Sequence, residues 1–294
     1  MAVTAEMVKT LRQRTGAGMM ECKKALVEAG TDIEKAAQLL REKGAASAEK
    51  KAGRIATDGT VALQISSDGS NGAIVEINCE TDFVARDNSF GKFAEDVVQN
   101  IIEKKPNDLS QLLESKLNSN EAIEDARKAL ITRIGENISV RRFEVLSSKN
   151  GSVYGYLHGR KIGVIVSITG GNEMLGKDIA MHIAASNPMS IDESEISKKA
   201  LENEKKIYTA QAQDAGKSKN ILEKIVEGKL KKYLKENTLL GQEFVKDPQI
   251  TVGALLDSSN AKVEKFARYE LGEGLEKRND DFVGEVLAQA TGNN

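Results

Sequence analysis

The sequence has little of the chemistry that supports covalent catalysis or metal capture: only Cys22, Cys79, His158 and His182 supply thiol or imidazole in 294 residues. The two cysteines are too far apart for a paired-cysteine metal motif, and a chain of this size does not need a disulfide framework. Neither histidine has an acid, serine or cysteine at a spacing that would build a nucleophilic triad or a metal site. No catalytic, metal-ligating or cofactor-binding residue is therefore expected. An excess of charge is missing as well: 42 Lys+Arg against 44 Asp+Glu leave a net charge of -2, so no long-range field draws the whole molecule to nucleic acid or an anionic membrane. No apolar run approaches the ~20 residues of a membrane span. Met1 to Arg14 alternates charged and apolar residues instead of forming the continuous apolar segment of a signal peptide. These absences predict a soluble protein of the reducing cytoplasm.

What is present, 40% apolar residues, suffices for two or three domains or for one core with appendages. An α+β organisation is expected. Three short helices come first. Met7, Val8 and Leu11 share a face before Thr15-Gly16-Ala17-Gly18; Cys22, Ala25, Leu26 and Ala29 stripe a second helix ending at Gly30; Ile33, Ala36, Ala37 and Leu40 stripe a third, capped by Thr31 or Asp32. From Lys43 to Thr57 the chain is small and basic, which reads as a linker or a weakly packed helix, and residues 1–56 form the first unit. Alternating Val61, Leu63 and Ile65, the turn Asp68-Gly69-Ser70-Asn71-Gly72 and the apolar run to Cys79 predict a hairpin, followed by a helix carrying Phe90, Phe93, Val97 and Ile101. The same order returns in Ser152 to His158, Lys161 to Thr169 and a helix from Leu175 to Ala185. A duplicated strand-strand-helix core over 57–146 and 147–279 is therefore predicted. Between the copies, Glu121 to Ile134 is an amphipathic helix. Within the second, 191–238 reads as a protruding helical hairpin with its turn near Asp214-Ala215-Gly216, Val263 to Leu271 as a return to the second sheet, and 280–294 as a short C-terminal helical module.

The two copies differ most in the connection after the hairpin, Glu80-Thr81-Asp82-Phe83 in the first against Gly170-Gly171-Asn172-Glu173 in the second. Two readings of the first connection stand open: Asp82 caps a turn while Phe83 tucks under the sheet, or Phe83 stands outside as a wedge. Periodicity does not choose between them. Helical stepping of 100 degrees per residue, from about 3.6 residues per turn, places Met20 opposite Cys22, Ala25 and Leu26 and therefore outside. With Met19, Arg12 and Lys23 it suits an adaptable contact patch, as well as the blander role of an isolated surface methionine. Gly216-Lys217-Ser218 ends like a phosphate loop but lacks the upstream glycine and strand, and Gly16-Ala17-Gly18 reads as a helix-helix turn instead of a dinucleotide fingerprint. His182 is expected as a satisfied core or boundary residue, and His158 as a solvated or partner-touching residue at a hairpin tip.

The runs Thr15-Gly16-Ala17-Gly18-Met19-Met20-Glu21-Cys22-Lys23-Lys24-Ala25-Leu26 and Glu76-Ile77-Asn78-Cys79-Glu80-Thr81-Asp82-Phe83-Val84 resemble the two most specific motifs of the bacterial translation elongation factor Ts family. The likeness continues through Ile134-Gly135-Glu136-Asn137-Ile138, His158-Gly159, Ile179 to Ala185 and Gly272-Glu273-Gly274. It implies a guanine-nucleotide exchange factor for elongation factor Tu, with a ubiquitin-associated-like N-terminal domain, a duplicated core and a helical-hairpin dimerisation module. It further implies that Thr81, Asp82, Phe83 and Val84 intrude near the partner's magnesium site and that Arg12, Met19, Met20, Lys23, His158 and Val245 contact the partner; with Phe83 as the wedge, Asp82 is expected to help position the loop and to add negative charge near the phosphates. Lys246 departs from a family segment that can carry Met at that position. Two readings of other classes remain as alternatives: an RNA-binding module built on Lys50, Lys51, Arg54, Arg141, Arg142, Arg160 and Lys161, and a ubiquitin-associated-type adaptor without exchange activity. Neither explains Asp82-Phe83.

Overall fold

The computed structural model describes residues 2–213 and 219–276. The Gly216-Lys217-Ser218 run, the turn of the helical hairpin and the 280–294 module lie outside the described residues.

The chain opens with three helices, α1 (Ala5–Thr15), α2 (Met19–Glu28) and α3 (Ile33–Lys51). Thr4 caps α1 by accepting the Met7 N–H, and Gly16, at φ 68°, ends it in the left-handed conformation that glycine adopts without strain. Asp32 caps α3 by accepting the N–H groups of Glu34 and Lys35. Val8, Leu11, Cys22, Leu26, Ala36 and Leu40 form the core of this bundle. Of the two expectations from Lys43, a linker or a weakly packed helix, the structure shows a helix: α3 continues unbroken to Lys51, with Gly44 and Ala48 buried. The small side chains that looked like weak packing serve close approach. A Cβ on Gly44 would stand 2.6 Å from the hydroxyl of Thr132 on the helix it crosses.

That partner helix belongs to the first half of the core, which runs β1 (Asp58–Ile65), β2 (Asn71–Cys79), α4 (Asp82–Ala85), α5 (Asn88–Lys104), α6 (Leu109–Glu114), α7 (Ile123–Ile134) and β3 (Ile138–Ser147). The second half runs β4 (Ser152–His158), β5 (Ile162–Thr169), α8 (Glu173–Ser186), α9 (Lys198–Gln213), α10 (Lys219–Asn237), the short β6 (Glu243–Phe244) and β7 (Asp247–Thr251), α11 (Val252–Ser258) and β8 (Lys262–Glu270). The two main sheets have the same plan, antiparallel β1-β2-β3 and β4-β5-β8, so the third strand of each lies beside the second strand of its hairpin. Each also carries a register shift between its second and third strands, at Glu76/Ile77 and at Ser167/Ile168.

The strand period of two sorts the core into layers. Val75 and Ile77 face Phe90, Phe93, Val97 and Ile101 of α5. Ile74, on the other face of β2, packs with Val61 and Leu146 against Val153 and Ile165 of the second sheet. Beyond it, Val164, Val166 and Ile168 meet Leu175, Ile179 and Ile183 of α8 and Val252 and Leu256 of α11. The order is helices, sheet, sheet, helices. Helices α9 and α10 pack on one another as an antiparallel pair, with the Lys229 ammonium 5.5 Å from the centre of the Tyr208 ring.

Candidate functional site

The connection between β2 and α5 is a single helical turn whose four residues divide by side. Val84 and Ala85 are buried in the first-half core, while Asp82 and Phe83 face out. Phe83 is 82% exposed, the most exposed of the large apolar side chains among the described residues. Thr81 is the N-cap: its hydroxyl accepts the Val84 N–H at 3.4 Å. The same residue donates twice to the Glu136 carboxylate, from its N–H at 3.0 Å and its hydroxyl at 2.8 Å. Behind it the Cys79 thiol donates to the Thr81 carbonyl at 3.1 Å. The far end of the turn is held from the other half of the core, where the Arg160 guanidinium donates to the Ala85 carbonyl at 2.7 Å. Phe83 therefore projects from a turn fixed at both ends.

The charges beside it are less free than their number suggests. Asp82 is paired with Arg86 one turn on, at 2.9 Å, and the pair is exposed. Such a pair contributes only about 0–1 kcal/mol, but it balances the carboxylate that the sequence offered as bare negative charge. Burial, reinforced by Glu136 and Asp58, pushes the Cys79 thiol up to about 12, so it is a weak hydrogen-bond donor and not a nucleophile.

Met19 and Met20 stand in the first turn of α2, 61% and 64% exposed, with Arg12 and Lys23 also in solvent. Cys22, Ala25 and Leu26 on the opposite face are buried. The Glu21 carboxylate accepts the Gly18 N–H at 3.2 Å and fixes the start of that helix. No hydrogen bond or ion pair among the described residues joins this patch to α4. His158 is exposed at the end of β4, its Nδ1 3.4 Å from the Tyr156 hydroxyl. It lies on the same hairpin as Arg160, whose guanidinium reaches the Phe83 turn.

Val245 follows β6 and is half exposed, above the buried Phe244. Its N–H donates at 3.2 Å to Nδ1 of His182, which assigns the imidazole proton to Nε2; Nε2 then donates to Gln242 Oε1 at 3.0 Å. His182 is the satisfied core residue that its apolar surroundings suggested, and burial lowers its pKa. Lys246 is paired with Asp178 of α8 at 2.6 Å.

Four of the seven basic residues of the RNA-binding alternative, Arg54, Arg141, Arg142 and Arg160, are engaged by the protein's own groups. Arg141 and Arg142 converge on the fully buried Glu76, at 2.9 and 2.6 Å. Arg142 also lies 4.3 Å from the centre of the Tyr269 ring, and Arg54 reaches Glu80 at 3.4 Å. Glu76, Glu80, Glu136 and Asn137 all escaped the sequence reading of individual sites. Their roles depend on which strands become neighbours, and no periodic pattern marks them.

Comparison with known proteins gives a consistent result. The sequence profile of the family described as Elongation factor TS matches residues 80–273. The chain is 52% identical over 293 residues to the Elongation factor Ts of Thioalkalivibrio sulfidiphilus, covering 99% of this chain and 100% of that protein. It is 52% identical over 289 residues to the Elongation factor Ts of Methylococcus capsulatus, covering 98% and 99% of the two chains. The Elongation factor Ts of Legionella pneumophila is 47% identical over 287 residues, 98% of each chain.

Proposed function

The chain belongs to the elongation factor Ts family, and on that premise we propose that it is a guanine-nucleotide exchange factor for elongation factor Tu, acting in the cytoplasm during translation elongation. The observation that carries the reading is Phe83, a bare aromatic ring held out in solvent by a turn pinned at both ends. A soluble protein gains nothing for its own stability from that arrangement. Tucking such a ring inside would stabilise the fold by about 1.5–3 kcal/mol.

In a P-loop GTPase, magnesium bridges the nucleotide phosphates and protein ligands, and its near-octahedral shell at about 2.0–2.1 Å tolerates little displacement. Phe83, entering beside that site with Thr81, Asp82 and Val84 behind it, shifts a supporting element of the partner and disperses the metal and phosphate ligands. No covalent bond is made or broken, so no acid, base or nucleophile is required. Exchange is reciprocal: what the factor removes from nucleotide affinity, the nucleotide removes from factor affinity. Weakening the nucleotide 10⁴-fold takes about 5.5 kcal/mol of differential interaction, more than one ring supplies. The remainder comes from a second grip by Arg12, Met19, Met20 and Lys23, and from His158 and Val245 on the second half of the core.

In this reading 1–56 is the ubiquitin-associated-like gripping domain, 57–146 bears the wedge, and 147–279 contacts the partner while extending the α9–α10 arm as a homodimerisation module. Phe83→Ala is expected to slow release of fluorescent GDP from elongation factor Tu in stopped flow while complex formation stays detectable. Met20→Ala is expected mainly to raise the concentration needed for half-maximal release. An unchanged release rate for Phe83→Ala would remove the wedge.

A further inference from the structure

Strands β2 and β3 end as antiparallel neighbours with Cys79 opposite Ile138. Beyond that rung the backbone ladder stops, yet the pairing continues in the same register through side chains. The Glu80 carboxylate accepts the Asn137 N–H at 2.6 Å, and the Glu136 carboxylate accepts both the N–H and the hydroxyl of Thr81. Two carboxylates thus extend the sheet by two rungs, to the first residue of the Phe83 turn.

We propose that Glu136 is the positioning residue of the exchange wedge: it fixes Thr81, and through Thr81 the direction in which Phe83 points. A carboxylate that takes two donors from one residue, one on each oxygen, constrains rotation as well as distance. It also sets the orientation of the Thr81 hydroxyl, which must donate to Glu136 in order to present its lone pair to the Val84 N–H. Gly135, at φ 93°, ends α7 and turns the chain so that Glu136 reaches Thr81. Asn137 anchors the same corner to the strap leading from the N-terminal bundle, its amide donating to the Arg54 carbonyl at 2.9 Å. The strap that follows the gripping bundle and the turn that bears the wedge therefore meet at adjacent residues of one corner.

The proposal rests on the exchange reading, and its test separates the two. The full-length protein and its Phe83→Ala, Glu136→Ala and Glu136→Gln variants are titrated against elongation factor Tu loaded with fluorescent GDP. Each titration gives a maximal release rate and a half-saturating concentration. Losing both charge-assisted bonds in Glu136→Ala is expected to lower the maximal rate about tenfold with the half-saturating concentration held within about twofold. Glu136→Gln keeps one acceptor oxygen and is expected to recover most of the loss, to within about threefold of the parent. A parental maximal rate in Glu136→Ala alongside a slowed Phe83→Ala overturns the positioning role and leaves the exchange reading standing. A parental rate in Phe83→Ala overturns the reading itself. If Glu136→Ala raises the half-saturating concentration as much as it lowers the rate, the residue is merely structural and the proposal fails. Should Glu136→Ala not fold, Thr81→Val, which removes the hydroxyl that donates to Glu136 while keeping the side chain's shape, takes its place, and a parental maximal rate in Thr81→Val overturns the proposal.

Discussion

At the end of β2 a fully buried thiol, Cys79, precedes by one turn a ring that stands almost wholly in solvent. Each state follows from what its neighbours do. Cys79 closes the outer face of β2 against the first-half core, and its Sγ is occupied by the Thr81 carbonyl. Phe83 has no such alternative, because Val84 and Ala85 already fill the place beneath the turn. The thiol reports on this arrangement. With Cys79 pushed up to about 12 and both cysteines buried, the native protein is expected to leave a thiol-directed chromogenic reagent unreacted while the urea-unfolded chain consumes two equivalents. Rapid reaction of Cys79 in the native protein would show that the turn opens on that timescale and is not the rigid support described above.

The two hairpin-helix units look alike in sequence and diverge where their helices meet the sheets. Phe90-Gly91-Lys92 in α5 and Leu175-Gly176-Lys177 in α8 present a glycine at the same point of the pattern. Replacing a helical glycine by alanine ordinarily stabilises by about 0.5–1 kcal/mol. At Gly91 a Cβ meets nothing within 4 Å, so Gly91→Ala is expected to gain that amount. At Gly176 the Cβ would stand 2.2 Å from Cδ2 of Tyr154 and 2.3 Å from its Cγ, the rooted end of the ring. Overpacking of this kind costs about 1–3 kcal/mol and outweighs the helical gain, so Gly176→Ala is expected to destabilise. Urea-unfolding midpoints of the two variants decide, and shifts of the same sign would contradict the packing.

The same comparison marks how far elements were legible in the sequence. Hairpins, helix starts and the amphipathic α7 were readable because glycine, asparagine and aspartate turn chemistry brackets clean periods of two or 3.6. The connections were not. Glu80–Phe83 and Gly170–Glu173 looked like counterparts, but the first runs into an extra turn, α4, before α5 begins, whereas Asn172 caps α8 directly. Strand β3 went unread because Arg141-Arg142 interrupts its alternation. The structure supplies the reason: Glu76 pairs with Arg142 and Ile77 with Val140, so Arg141 is the extra residue of a bulge. That bulge lets two consecutive arginines reach one carboxylate. At the site, the outward face of Met20 followed from helical stepping, while Glu136 and Asn137 depended on a strand pairing that single-chain periodicity does not encode.

Glu76 joins the halves of the molecule. Besides Arg141, Arg142 and Asn78 it accepts the Gly272 N–H at 2.8 Å, and Arg142 reaches Glu273, so the chain leaving β8 is clamped to the first sheet. Burial pushes its carboxyl up, but the Gly272 N–H, both guanidiniums and the Asn78 amide outweigh burial and hold it below its ordinary value of 4.5. His182 fixes the Val245 turn of the second half and is likewise lowered from 6.5, because burial disfavours its charged form. Its protonation would add a hydrogen at Nδ1, facing the Val245 N–H donor. Both groups take up protons more readily in the unfolded chain, so both stabilise the protein above their unfolded values and lose that contribution as the pH falls towards their folded ones. The order is set by chemistry: His182 acts first, below 6.5, and Glu76 below 4.5. Urea unfolding is therefore expected to give lower stability at about pH 5.5 than at about pH 7.5, and a further fall below about pH 4.5. Glu76→Gln should lose roughly 3 kcal/mol at neutral pH, since it leaves two guanidiniums without their carboxylate, and should show a shallower acid limb than the parent. Equal stability at the two higher pH values would contradict a neutral, buried His182, and an unaltered acid limb in Glu76→Gln would show that the halves are held together elsewhere.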